Sequence, residues 1–234
     1  MSKGFVIDRG LSPIDGKPYV AILTVNSSNR KTGNMCQVFI LCEDVDPVTA
    51  VSSGEDYSIC GNCPHRKDSR SNTRSCYVNV GQAPLSVWRS YKRGNYKLLW
   101  TYEELEQTLS GRKIRWGAYG DPAILNSKIV HLLNGYASGH TGYTHQWRSE
   151  FATEFKGIFQ ASCDGFNDYL LATELGWKTF TVVSKNTAPQ YAKQCPATIT
   201  NSQAQCVTCS LCDGAKLDVF VNAHGSGAKY VTAA

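Results

Sequence analysis

Cys60, Cys63 and Cys76 follow one another as C-x2-C-x12-C, and Cys195, Cys206, Cys209 and Cys212 as C-x10-C-x2-C-x2-C. These two groups hold most of the ten cysteines in a chain of 234 residues. Thiols clustered in this way point to metal or redox chemistry, not to a disulfide framework, in a chain that reads as intracellular. Three thiols on one short loop with a fourth nearby suit the faces of a cubane [4Fe-4S] cluster, whereas structural zinc usually takes cysteine pairs from separate knuckles. The C-terminal group is therefore read as a [4Fe-4S] site, with zinc as the alternative. The N-terminal group leaves two readings open. With His65 as fourth ligand it would be a closed structural site; without it, three thiolates leave one iron open to a substrate or cofactor. One or two clusters are expected. Cys36 and Cys42, in or beside a predicted strand, read as small buried hydrophobes, and Cys163 ends a strand.

The elements that must position these groups follow from periodicity. "GFVID", "YVAILTV" and "MCQVFIL" predict an N-terminal β-meander, and residues 53–75 read as a polar, basic loop. A helix is expected from about Ala83 to Arg93, where Leu85, Trp88 and Tyr91 recur at helical spacing; a second at "TYEELEQTL" has Thr101 and Glu104 as a capping box. From residue 113, "KIRWGAY", "DPAILNSKIVHLLNGYAS" and "TGYTHQW" alternate as strand, helix and strand. "GIFQASC", "DGFNDYLLATELG" with Asp164 near its cap, and "WKTFTVVS" repeat the pattern, and "LDVFVNAHG" supplies a last strand. Such alternation implies parallel strands. The expected fold is α/β, an irregular or partial (β/α) barrel with an N-terminal β-meander and cysteine-rich metal-binding loops. Its parts are a meander over 1–52 and a partial barrel over 53–234, in one compact domain.

In such a fold functional groups gather at the carboxyl ends of strands. "GAYGDP" lets the backbone at Gly120 approach a ligand closely and aims Asp121 at the barrel mouth, although Asp121 also has the local role of capping the helix that begins at Pro122. "TGYTHQWR" brings Thr144, His145 and Gln146 together with aromatic and basic neighbours, a density of hydrogen-bonding groups that suits a ligand-contacting loop.

"CYVNVGQAPLSVWRSYKRGNY", "IRWGAYGDP", "GYTHQW", "QCPA", "CVTCSLCDG" and "VFVNAHG" occur in this order. In them the chain resembles a bacteriophage family, the "gene product 88" group, which is itself similar to radical SAM iron–sulfur barrels. The resemblance covers most of residues 60–225. It implies that Cys76 followed by Tyr77 matches the last cluster cysteine and its aromatic neighbour. Gly120, Asp121 and Thr144 would then face S-adenosylmethionine, with Asp121, His145 and Gln146 as the catalytic or ligand-binding set. C-x2-C-x12-C departs from the C-x3-C-x2-C of radical SAM enzymes. The implied function is an iron–sulfur metalloprotein, radical SAM-like, acting on a nucleotide or nucleic-acid-related substrate.

Two other readings compete. One is a zinc-containing base-exchange enzyme similar to tRNA-guanine transglycosylases, with Asp121 or Asp164 as nucleophile and His224 as a zinc ligand, although the C-x-C-x2-C spacing of those enzymes is not matched. The other is a non-catalytic, metal-stabilised binding protein. No G-x-G-x-x-G, Walker A, H-E-x-x-H or G-x-S-x-G motif supports a dinucleotide-binding, P-loop, zincin or hydrolase reading. A net charge of +5 permits a nucleotide-type ligand or nucleic acid. The amino terminus lacks an apolar leader, and no apolar run is long enough to span a bilayer. A cytoplasmic protein with no membrane partner is expected, in the infected host if it is phage-encoded.

Overall fold

The computed structural model describes residues 4–27, 29–184, 189–199, 201–224 and 227–231. Ser28, between the second and third strands, and Gly225, after the last strand, lie outside them. The predicted meander is present. β1 (Gly4–Leu11), β2 (Pro18–Thr24) and β3 (Cys36–Cys42) pair antiparallel in sequence order. All of β3 is buried, as its unbroken run "CQVFILC" requires of a strand covered on both faces.

Two helices then appear where the sequence pattern predicts only strand and loop. α1 (Pro47–Ser53) starts at an Asp46 N-cap whose carboxylate accepts from Val48 N and Thr49 N, with Pro47 in the first turn. α2 (Tyr57–Cys60) is a single turn that delivers the first clustered cysteine. α3 (Ala83–Lys92) and α4 (Tyr102–Leu109) fall where expected, and α4 carries both halves of the Thr101/Glu104 capping box.

β4 (Lys113–Tyr119) follows as predicted. The long helix expected after it is divided. Asp121 caps a 3-10 turn over Pro122–Ile124, Leu125 is extended, and Asn126 recaps the chain to start α5 (Ser127–Tyr136). Two consecutive capping side chains, each accepting from a backbone N–H two residues on, account for the break.

β5 (Gly139–Thr141) and β6 (Tyr143–Thr144) come next, separated by Gly142 alone. β7 (Gln160–Cys163), α6 (Phe166–Glu174), β8 (Thr179–Val183), β9 (Lys193–Gln194), α7 (Cys206–Cys209) and β10 (Val219–Asn222) complete the chain. Asp164 is not the cap of α6: Gly165 occupies the N-cap. The strands form two five-stranded sheets, ordered β1-β2-β3-β4-β5 and β6-β7-β8-β10-β9. Pairing is parallel from β3 onward in the first sheet and throughout the second. Because β3 pairs with β4, the meander shares a sheet with the segments beyond residue 52.

β4 alternates. Ile114, Trp116 and Ala118 are buried in the core with Leu105, Leu109, Val130 and Leu133, while Lys113, Arg115 and Gly117 are only partly buried on the other side. No helix among the described residues is long and apolar enough to cross a membrane.

Hydrogen bonds to Thr49 and Val48 hold the Asp46 carboxyl below the ordinary carboxylate range. A depressed folded pKa adds stability above the unfolded value and loses it as pH falls through the folded one. Asp46→Ala is therefore expected to lower unfolding free energy by about 1 kcal/mol at neutral pH. In urea titrations, the gap from wild type should narrow as pH drops below about 4.

Candidate metal centres

The first cysteine group is assembled by backbone turns. α2 ends at Cys60, and Cys63 N donates back to Cys60 O at 3.2 Å. Asp68 N donates to Thr73 O at 2.8 Å, and Cys76 N donates to His65 O at 2.9 Å. This closes a long loop and returns Cys76 to the neighbourhood of Cys63 across twelve intervening residues. Gly61 has φ +53°, and a Cβ there would stand 2.4 Å from the Gln146 amide oxygen. The same amide donates through Nε2 to Cys60 O at 3.0 Å, so Gln146 clamps the end of the cysteine helix.

The three thiols line one cavity of about 100 Å³ together with Tyr77, Gly117, Tyr119, Gly120, Asp121, Tyr143 and His145. Every predicted N-terminal ligand thus reaches the same space as predicted Tyr77, Gly120, Asp121 and His145. Thr144 and Gln146 support its wall. Burial pushes the Cys60 thiol well above its usual range, with the charges of Cys63, Asp56 and Cys76 adding to the effect. Burial also raises Cys76, against the pull of Arg74.

The Asp121 carboxylate is 6% exposed and its oxygens are used locally. Oδ1 accepts from Thr144 Oγ1 at 2.6 Å and from Ala123 N at 3.0 Å; Oδ2 accepts from His145 N at 2.8 Å. Its own N–H donates to Ile59 O at 2.7 Å. Burial raises its pKa, against these donors. Asp121 therefore fixes the end of β4, the β6 loop and α2 relative to one another. His145, held through its backbone, presents Nε2 at 3.8 Å from Cys63 Sγ and 3.5 Å from Asp164 Oδ2. Burial disfavours its charged form, but Cys63 and Asp164 outweigh this and raise it well above the ordinary imidazole range.

His65 contacts Ser75 Oγ through Nδ1 at 2.8 Å, and its Nε2 lies 2.8 Å from Asp164 Oδ1 without hydrogen-bond alignment. Burial opposes ionisation of Asp164, yet His145 and His65 prevail and hold its carboxyl well below the usual range. Arg66 and Arg74 belong to a stretch whose composition suggests a solvated basic loop, but both turn inward to the cavity. Arg66 pairs at 2.6 Å with Asp56, which is 2% exposed, and Arg74 donates to Cys76 O and Val78 O. A buried carboxylate needs such a partner; Asp56 gives no sign of burial in its local sequence.

The C-terminal group is also brought together. Cys195 N donates to Phe220 O at the β9/β10 edge. α7 docks on the β2–β3 loop through Cys206 N to Lys31 O, Val207 N to Thr32 O and Gln205 Nε2 to Arg30 O. Cys212 O accepts from Gly142 N at 2.9 Å. A Cβ on Gly142 would stand 2.6 Å from the Phe159 ring, so glycine is what lets the strand pass here. Burial pushes Cys212 well up, with Cys195, Cys206 and Cys209 contributing, which places all four thiols within electrostatic reach of one another. His224 is not among these neighbours: its ring stacks on Tyr77 and its Nδ1 meets Asn222 O.

The partly buried side of β4 serves both groups. Lys113 Nζ donates to Ser210 Oγ at 2.7 Å, Arg115 donates to Tyr77 Oη at 2.9 Å, and Gly117 lines the first cavity. Burial raises the Cys206 thiol, against the pull of Arg115. All ten cysteines are free. The chain matches no protein-family model, no curated protein and no solved structure.

Cys36, Cys42 and Cys163 are buried in or at the end of strands, and burial raises each thiol, Cys42 to about 12. In metal-free folded protein, mass-spectrometric mapping of alkylation is expected to find these three protected while the partly exposed clustered cysteines react, Cys60 and Cys212 slowest among them because burial raises their thiols furthest. Modification of the protected three should follow denaturant-induced unfolding, and their reaction in the native state would contradict the assignment. Asp121→Ala leaves two N–H groups and a hydroxyl without their acceptor, and is expected to cost on the order of 3 kcal/mol in chemical denaturation.

Proposed function

We propose that the protein is an iron–sulfur metalloprotein with two cysteine-held centres, of which the one at Cys60, Cys63 and Cys76 is reactive and the one at Cys195, Cys206, Cys209 and Cys212 is closed. The observation that carries this reading is the concentration of unsatisfied polar atoms around the first cavity. Arg74 Nε and Tyr119 Oη, in its lining, are buried without hydrogen-bond partners, and His65 Nε2 and Asp164 Oδ1 beside it have only each other, 2.8 Å apart. Unpaired buried polar atoms are costly, and a bound ion or inorganic group is a standard reason for them.

A cluster is preferred to a zinc-thiolate site on the sequence spacing, three thiols on one short stretch with a fourth nearby. The space of about 100 Å³ is also well below the 300 Å³ or more typical of a pocket for an organic ligand. It suits an inorganic centre, with any organic ligand lying at its mouth beside Tyr77 and Tyr143.

A three-thiolate cluster keeps one iron free for an exchangeable ligand, and S-adenosylmethionine is the ligand the sequence resemblance suggests. Within this reading His145 faces the centre, Asp121, Thr144 and Gln146 hold its frame, and a nucleotide or nucleic-acid-related substrate approaches from the mouth. The two sheets are proposed to form part of one barrel. Gly142 alone separates β5 from β6, so the parallel strands continue from one sheet into the next.

Anaerobic reconstitution with iron and sulfide tests the reading. Wild type is expected to turn brown and take up about eight iron and eight sulfide per chain. Cys76→Ser should lose about half and Cys209→Ser the other half. Colourless protein with stoichiometric zinc would overturn it. Reduced, fully loaded protein is expected to cleave S-adenosylmethionine to 5'-deoxyadenosine; if it leaves the molecule intact, the radical SAM activity is removed while the metal content stands.

A further inference from the structure

His65, His145 and Asp164 form a second ligand set beside the thiols, drawn from the cysteine loop, the β6 loop and the start of α6. Their ligand atoms all lie within 4.8 Å of one another. The Asp164 carboxylate is shared: Oδ1 is 2.8 Å from His65 Nε2, and Oδ2 is 3.5 Å from His145 Nε2. In a tetrahedral zinc site, ligand nitrogens and oxygens about 2.0–2.1 Å from the ion stand roughly 3.3 Å apart, a value between these two distances.

The plain alternative is a buried imidazolium–carboxylate pair. That pair would align an N–H with a carboxylate lone pair. Instead His65 Nε2 and Asp164 Oδ1 are in close approach, buried, and without hydrogen-bond alignment. Neither atom has another partner, so an ion held between them would satisfy both. The rest of His65 is prepared for ligation: Nδ1 meets Ser75 Oγ at 2.8 Å, fixing the ring as outer-shell partners of metal-binding histidines do. His145 is fixed through its main chain by Asp121.

We propose that His65, His145 and Asp164 bind one divalent ion of the zinc or ferrous type, separate from whatever the thiols hold. Two imidazoles and a carboxylate are a ligand set that leaves coordination positions open, as in catalytic zinc and non-haem iron sites. Cys63 Sγ, 3.8 Å from His145 Nε2, borders the site. His65 and His145 line the same cavity as the cysteine group, so the ion would take an oxygen or nitrogen donor of a ligand entering there.

The test uses full-length protein, loaded anaerobically with iron and sulfide and then dialysed against zinc. His65→Ala and Asp164→Asn are each expected to retain one zinc fewer per chain than wild type with iron and sulfide unchanged, which also shows that they fold. Ser75→Ala, which removes only the outer contact, is expected to weaken zinc binding about 10- to 100-fold. Wild-type zinc content and affinity in all three variants would overturn the proposal. So would joint loss of iron, sulfide and zinc in His65→Ala and Asp164→Asn, because the three residues would then belong to the thiol centre. If wild type takes up no iron and sulfide, the iron–sulfur reading fails, and the zinc difference between wild type and Asp164→Asn, with folding checked by circular dichroism, still decides this one.

Discussion

Three parts of the chain meet at a single buried carboxylate. Asp121 receives the Thr144 hydroxyl and the N–H groups of Ala123 and His145, and its own N–H is bound by Ile59 O. A carboxylate removed from water is stable only when such donors replace its hydration. The constraint is reciprocal: the donors must be held in place for the charge to be tolerated, and the charge holds them in place. The end of β4, the β6 loop and the cysteine-bearing turn of α2 are locked together as a result. The position of His145 against Cys63 depends on that lock.

Much of this was legible beforehand, and the limits have physical causes. Strands and helices with strong periodicity, such as β3, β4 and α4, fall where the pattern places them, because burial of one face or both dictates residue type at each position. The cysteine groups were legible from spacing. Their convergence was not, since it depends on turns such as Asp68–Thr73 that are specified by hydrogen bonds and not by hydrophobic pattern. Arg66 and Arg74 look like solvated charges because nothing local reveals the buried Asp56 or the carbonyls that receive them. Asp164 reads as a helix cap, but Gly165 starts the helix and frees the carboxylate to turn toward two imidazoles.

The cysteines divide by environment more sharply than by sequence. Cys36, Cys42 and Cys163 are packed among apolar side chains, where a thiol is a small hydrophobe. The other seven are partly buried in loops and in the single helical turns α2 and α7, near arginine, imidazole or one another. Burying several thiols side by side raises the pKa of most of them, an arrangement with no advantage to a bare protein. A bound cation would make their ionised forms favourable.

Both cysteine loops lean on one side of one strand, at Lys113, Arg115 and Gly117. A strand advances about 3.3 Å per residue, so the two supports stand about 13 Å apart along it, with the Arg115 guanidinium between them. Neither loop can shift along that ruler without breaking the Lys113–Ser210 or Arg115–Tyr77 hydrogen bond. The strand therefore sets the distance between the two cysteine groups, and the contacts at Lys113 and Arg115 maintain it.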